Sequence, residues 1–249
     1  MMVEDVKIKD VFCRIYRPKT KPTEVVIMVH GFAGDKESSV ICALGEELSN
    51  SGIQVVSFDL PCHGADVKNE YVNATDCMLA LTKVVNYVEE EFDTLKISFF
   101  ATSFGGYLLL NFLSINQEKY NKIILRAPAV NMGEILEKVI IPEHGFSVKD
   151  LNKGINLGYE NPLLVNKAFL DELKNNDLFK KFKENLNEYH VLQGLKDDVV
   201  DVKSVLKFLK ENIGGERCNF YPFENADHRF KNPGELEQII KITKDILIG

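Results

Sequence analysis

The stretch Lys96-Ile97-Ser98-Phe99-Phe100-Ala101-Thr102-Ser103-Phe104-Gly105-Gly106-Tyr107-Leu108-Leu109-Leu110 decides the fold. Lys96–Ala101 reads as a buried strand and Phe104–Ser114 as an apolar helix. Only Thr102 and Ser103 remain to turn the chain between them, and a nucleophile on such a turn needs a tight, strained backbone. Such a turn needs small residues two before and two after the serine, where strand and helix close on each other. Gly105 meets the second requirement, and Ala101 stands at the first with one extra methyl. A serine that opens a helix is by itself only an N-cap candidate. Set between this strand and this helix, Ser103 becomes a candidate nucleophile.

The same alternation extends outward on both sides. Val25-Val26-Ile27-Met28-Val29 is apolar throughout, as a strand covered on both faces should be. Gln54–Phe58 and Lys122–Arg126 are further strands. A helix is expected at Ser38–Ser49, with Val40, Ile41, Leu44 and Leu48 on one face, and another at Ala74–Glu91. Late in the chain come strand Tyr189–Gln193, helix Val202–Asn212, strand Arg217–Tyr221 and helix Glu235–Leu247. Val3–Ile8 and Val11–Arg17 read as an antiparallel pair that ends at the Pro18–Pro22 turn. Each helix between strands is a crossover that returns the chain to the sheet. The expectation is therefore an α/β fold: a mostly parallel sheet with helices on both faces and antiparallel strands at its N-terminal edge.

One segment breaks the rhythm. From Ala129 to about Lys183 the chain turns irregular and rich in Lys and Asn, with short helices expected at Gly133–Val139 and Leu164–Leu173. That is too long for an ordinary connection. It is read as a small inserted cap, residues 129–183, within a single domain spanning 1–249; a peripheral helical decoration is the alternative. Its apolar residues, among them Leu136, Val139, Ile140, Ile141, Phe146, Leu163, Leu164 and Phe169, are candidates to line an apolar acyl or aromatic site.

Composition narrows the function classes. A chain of 249 residues can bury a large core without metal or disulfide support. With 45% hydrophobic and 27% charged residues it is ordinary globular material. Its longest aliphatic run, Val25–Val29, falls far short of the ~20 residues of a membrane-spanning helix, so no span is expected. Thirty basic against 37 acidic residues give a net charge of −7 with no basic stripe, which argues against a nucleic-acid partner. Cys13, Cys42, Cys62, Cys77 and Cys218 are scattered and lack a C-x-x-C pair, so neither a disulfide framework nor a metal site is expected. No organic cofactor is implied. The opening Met1-Met2-Val3-Glu4-Asp5-Val6-Lys7 carries acids and no apolar core of a signal peptide. With free thiols, that reads as cytoplasmic; the sequence carries no signal for an oligomeric state.

In open parallel sheets ligands bind beyond the carboxyl ends of the strands. Ser103 follows one strand, Asp197 and Asp198 another, and His228 a third. A serine hydroxyl needs an adjacent base. His190 lies within a strand, His144 within the irregular segment, and His30 and His63 in glycine turns that their rings can brace. His228, in the turn-rich run before the last helix, is best placed to reach Ser103. An acid must then hold the imidazole in its productive tautomer. Asp197 and Asp198 are both candidates, since Asp201 is the natural N-cap of the helix that follows. Two backbone N–H groups should face the oxyanion: that of Phe104 at the helix start, and that of Phe32 in His30-Gly31-Phe32-Ala33-Gly34.

Together these pieces resemble the α/β-hydrolase superfamily. The matching text is His30-Gly31-Phe32-Ala33-Gly34, Asp59-Leu60-Pro61-Cys62-His63-Gly64, the Ser103 turn, Gly194-Leu195-Lys196-Asp197-Asp198-Val199-Val200 and Ala226-Asp227-His228-Arg229-Phe230. Within it the chain is most similar to the small bacterial cinnamoyl/feruloyl-esterase and monoglyceride-lipase-like group. Ala101 and Cys62 depart from that group's usual residues. The resemblance implies an α/β-hydrolase fold and a serine hydrolase that cleaves a small-molecule carboxylic ester through an acyl-enzyme. It also implies the acid's register: three residues after the strand-terminal glycine, then one variable residue and an apolar pair, which lands on Asp197. Amidase, aminopeptidase or thioesterase activity would use the same residues, and a non-catalytic small-molecule receptor could share the fold. A dehalogenase is disfavoured, because that chemistry places an Asp where this chain has Ser103.

Overall fold

A computed structural model of the chain describes residues 1–249 apart from positions 69, 93, 94, 117, 159 and 160. The β-branched and aromatic runs form strands and the amphipathic runs between them form helices. In order these are β1 (Met2–Ile8), β2 (Val11–Arg17), β3 (Glu24–Val29), α1 (Ser39–Asn50), β4 (Gln54–Phe58), α2 (Ala74–Glu91), β5 (Lys96–Thr102), α3 (Phe104–Ile115) and β6 (Ile123–Arg126). One eight-stranded sheet has the order β1-β2-β4-β3-β5-β6-β9-β10, in which β9 is Tyr189–Gly194 and β10 is Cys218–Phe223. β1 pairs antiparallel with β2, and β2 with β4; every other pairing is parallel.

Every residue of β3, β4, β6 and β9 is buried, because helices cover both faces of the sheet. Along β3, Val25, Ile27 and Val29 face the layer built by α2 and α3, where Leu81, Val84, Leu108 and Leu109 pack. Val26 and Met28 face the other layer, with Ile41, Leu44 and Leu48 of α1 and Ile239 of α9 (Glu235–Ile248). The alternation is the period-two geometry of a strand. β10 runs past Tyr221 to Phe223 because Pro222 sits on an edge strand, where a missing N–H is tolerated.

Between β6 and β9 the structure departs from expectation in two places. The helix expected at Gly133–Val139 is longer: α4 (Met132–Ile135) continues through a π-helical turn at Leu136–Ile140 into α5 (Ile141–Glu143). Pro142 has no N–H to return to Lys138, and the winding loosens there. The helix expected from Leu164 begins later. Leu164–Val165 (β8) instead pairs antiparallel with Ile155–Asn156 (β7), and α6 spans Lys167–Asn175. Asn166 holds the N-cap, its side chain accepting the Phe169 N–H at 3.0 Å, so the residues before it are extended. α7 (Leu178–Lys181) follows, and after β9 comes α8 (Val202–Phe208), which continues into a π-helical turn at Leu209–Ile213. Among the described residues no helix is long and apolar enough to cross a membrane.

Candidate active site

Ser103 sits at the carboxyl end of β5 with φ 50° and ψ −113°. That is a strained conformation for a residue with a Cβ, and it persists because neighbours fix it from several sides. The Ser103 N–H donates to Arg126 O at 2.9 Å, and its carbonyl accepts the N–H groups of Tyr107 and Ala129, each at 3.1 Å. A Cβ on Gly105 would lie 2.5 Å from His30 O and 2.6 Å from Val29 O, so only glycine lets α3 start this close to β3. Ala101, fully buried between Val29 and Leu125, finds room for its methyl.

The loops after β9 and β10 bring two side chains to this serine. His228 Nε2 lies 3.0 Å from Ser103 Oγ, and His228 Nδ1 lies 2.9 Å from Asp197 Oδ2. The other Asp197 oxygen accepts the N–H groups of Val199 and Val200 at 3.0 and 2.7 Å, and Gln193 Nε2 donates to Oδ2 at 2.9 Å. The Asp197 side chain has no exposed surface. Burial alone would raise its pKa, but the His228 contact and the two amides outweigh burial and hold it below the usual carboxylate value. An ionised carboxylate only accepts, so in the neutral imidazole Nδ1 carries the proton and Nε2 is the nitrogen that offers a lone pair to the serine. Asp198 is exposed, and Asp201 caps α8 by accepting the N–H groups of Lys203 and Ser204.

The loop 30–34 lies directly against the serine: a Cβ on Gly31 would sit 3.3 Å from Ser103 Cβ. Among the described residues the N–H groups of Phe32 and Phe104 have no protein acceptor. Behind the loop is an aromatic wall. The Phe32 ring meets His63 and Phe104 edge-on, both at 5.8 Å, and stacks on Phe169 at 6.1 Å. His30 is locked as a neutral ring, its Nδ1 against Gly31 O at 2.7 Å and its Nε2 accepting the Leu60 N–H at 3.0 Å. His63 Nδ1 meets Pro61 O at 2.9 Å. Burial is the main force that lowers His30 to about 4 and His63 to about 3. His190 is buried beside Tyr221, and His144 Nδ1 sits 2.9 Å from Ile140 O, closing its helix.

A cavity of about 470 Å³ opens over Ser103 and His228. Val40, Met132, Ile135, Ile140, Val199, Phe230, Leu236 and Ile239 give it apolar walls, and Arg126, Arg229 and Glu143 line it with charge. Of the eight apolar residues expected to line a substrate site, Ile140 is the one that lines this cavity among the described residues. Leu136 does not, because the helical register turns it into the core. Phe146 is exposed beyond α5 and away from the cavity, while Phe169 is buried behind Phe32. Arg126, which closes the otherwise apolar β6, lines the cavity although the sequence expectation does not include it. A larger hollow of about 690 Å³, lined by Tyr107, Lys174 and Lys207, contains neither Ser103 nor His228. Among the described residues no three metal-ligating side chains gather.

Residues 20–155 match the family described as serine aminopeptidase, S33, which is more than half of the chain. No curated protein sequence matches. Among solved structures, Est1E from Butyrivibrio proteoclasticus with ferulic acid bound superposes with a TM-score of 0.78 at 16% identity, covering 98% of each chain. A putative hydrolase from Agrobacterium vitis S4 gives 0.76 at 15%, again over 98% of each. Alpha/beta hydrolase domain-containing protein 10 from mouse gives 0.75 at 18%, over 99% of this chain and 98% of the other. At these identities the likeness is one of fold, the α/β-hydrolase fold.

Proposed function

The chain belongs to the serine aminopeptidase S33 family of α/β hydrolases, and from that premise we propose that it cleaves carboxylic esters through an acyl-enzyme. One observation carries the reading: His228 bridges the Ser103 hydroxyl and a buried, ionised Asp197 by contacts of 3.0 and 2.9 Å. In this mechanism Ser103 Oγ attacks the ester carbonyl carbon while its proton passes to His228 Nε2. The carbonyl oxygen becomes an oxyanion held by the N–H groups of Phe32 and Phe104. The imidazolium, steadied by Asp197, returns the proton to the departing alkoxide and leaves the acyl group on Ser103. Water, deprotonated by His228, then adds to the acyl carbon and releases the acid. Every step is proton transfer or acyl transfer, so the residues present suffice.

An ester fits the cavity better than a peptide amino terminus. An aminopeptidase must hold an ammonium group, which calls for an excess of carboxylates. Among the described residues this cavity instead has Arg126 and Arg229 against one acid, Glu143. Residues 129–183 act as a cap within one domain of 1–249, and their first helical run contributes Met132, Ile135, Ile140 and Glu143 to the wall.

The test is covalent labelling followed by a substrate panel. A fluorophosphonate should label the wild-type chain and not Ser103→Ala, and p-nitrophenyl esters should turn over well ahead of aminoacyl anilides. Labelling that survives Ser103→Ala, or anilides preferred over esters, would overturn the proposal.

A further inference from the structure

We infer that Arg126 holds a substrate carboxylate inside the Ser103 cavity, so that the preferred substrate is a half-ester, a carboxylic ester carrying a free carboxylate. The word ester rests on the function proposed above; the anion site rests on Arg126 alone.

Arg126 closes β6 beside the serine: it pairs with Thr102, and its carbonyl accepts the Ser103 N–H. Its side chain lines the same cavity as Ser103 and His228, yet the residue is only 7% exposed. A guanidinium has five N–H donors. Here one contact is made, from Nη2 to Arg229 O at 2.9 Å, with the group 4.5 Å above the Phe230 ring. Nε is buried with no partner, and Nη1 makes no hydrogen bond among the described residues. Burial lowers the pKa to about 10, which still leaves the group charged at neutral pH.

Asp197, Asp227 and Glu235 favour its charge through space, but none of them pairs with it directly. Asp197 is committed to His228, Glu235 to Asn232, and Asp227 lies 3.7 Å from Lys231. Among the described residues no carboxylate forms an ion pair with Arg126. A buried cation without a directly paired counter-ion is costly, and a carboxylate is the planar, two-pronged acceptor that its fork matches. The surrounding wall of Met132, Ile135, Ile140 and Leu236 suits the short methylene chain that would join the carboxylate to the ester. A neutral acyl chain would use that wall and leave the guanidinium unanswered.

The experiment pairs each half-ester with its neutral carboxamide. Ethyl hydrogen glutarate against ethyl glutaramate places the charge on the acyl side. The butyrate ester of 3-hydroxypropanoate against that of its amide places it on the alcohol side. Wild-type kcat/KM should favour the carboxylate by about 10- to 100-fold in one of the pairs, as expected for hydrogen bonds to a charged group. Arg126→Met should bring that ratio near one, and Arg126→Lys, which keeps the charge but not the fork, should retain part of it. An arginine that only braced the 226–230 loop would lower both members of a pair alike. Equal wild-type rates within both pairs, or a ratio unchanged in Arg126→Met, would overturn the inference. If Arg126→Met does not fold, the wild-type pairs and Arg126→Lys decide in the same way. If no ester is cleaved at all, calorimetry of wild type and Arg126→Lys with N-ethyl glutaramate, an uncleaved half-amide carrying the carboxylate, separates the two readings. Binding weakened in Arg126→Lys keeps the anion site while the esterase reading falls; absence of binding removes both.

Discussion

Ser103 combines a strained backbone with a hydroxyl 3.0 Å from an imidazole, and the proposed chemistry needs both. Replacing it with alanine removes the nucleophile and leaves the fold's packing nearly untouched. Ser103→Ala should cost ~10⁶-fold in kcat with little change in melting temperature. Residual ester turnover above a few per cent of wild type, in a preparation free of other esterases, would contradict the mechanism. The two neighbouring aspartates give a sharper comparison. Asp197 accepts from His228, Gln193, Val199 and Val200, whereas Asp198 is exposed. Asp197→Asn should lose ~10⁴-fold in kcat, because an amide favours the wrong imidazole tautomer. Asp198→Asn, measured alongside, should stay near wild type; the opposite ranking would refute the register.

At the scale of elements, the loop after β3 has support from two directions. From below, Lys36 and Asp59 make a buried pair at 2.9 Å, and Asp59 also accepts the N–H groups of Lys36 and Ala65. The side chains are 8% and 0% exposed, so breaking the pair strands a charge. Asp59→Ala should destabilise by ~3–5 kcal/mol, read from denaturant unfolding. From above, Phe169 of α6 stacks on Phe32 and meets Phe104 edge-on at 6.1 Å, so this segment braces the loop that carries Phe32 and the start of α3. Phe169→Ala should therefore lower stability by ~3–5 kcal/mol and kcat as well, with the acyl preference kept. Ile140→Ala, on the cavity wall, should shift the preference among acyl chain lengths more than it shifts stability. If Phe169→Ala changes acyl preference and leaves kcat intact, its ring is a substrate contact after all.

For the whole molecule, the buried neutral histidines set the acid limit. His30 and His63 have folded pKa values of about 4 and 3, against ~6.5 when unfolded. Below pH ~6.5 the unfolded chain binds more protons than the folded one, so stability falls as pH falls toward the folded values. Asp197, whose pKa is also lowered, adds a loss in the same direction at more acid pH, below its unfolded value. The melting temperature should be level from pH 7 to 8 and fall progressively between pH 6.5 and 4. His63→Asn, which keeps a donor for Pro61 O, should make that fall shallower. A wild-type melting temperature level from pH 7 to 4 would count against the buried neutral rings.

What local sequence encodes was readable directly: apolar runs fix strands, Gly105 and the residues before Ser103 fix the tight turn, and Asp201 and its neighbours fix a helix start. The order Ser103, Asp197, His228 at three strand ends was legible because parallel α/β topology puts all those ends on one side. Tertiary packing alone decided the rest. That β4 inserts between β2 and β3, that Leu136 faces the core while Ile140 faces the cavity, and that Phe169 backs Phe32 depend on contacts between segments far apart in the chain. The π-helical turn before Pro142 shifts the angular position of every residue after it, which a regular 3.6-residue period does not anticipate. Arg126 is the clearest case: that its Nε is buried without a partner among the described residues is settled only once the chain has folded around it.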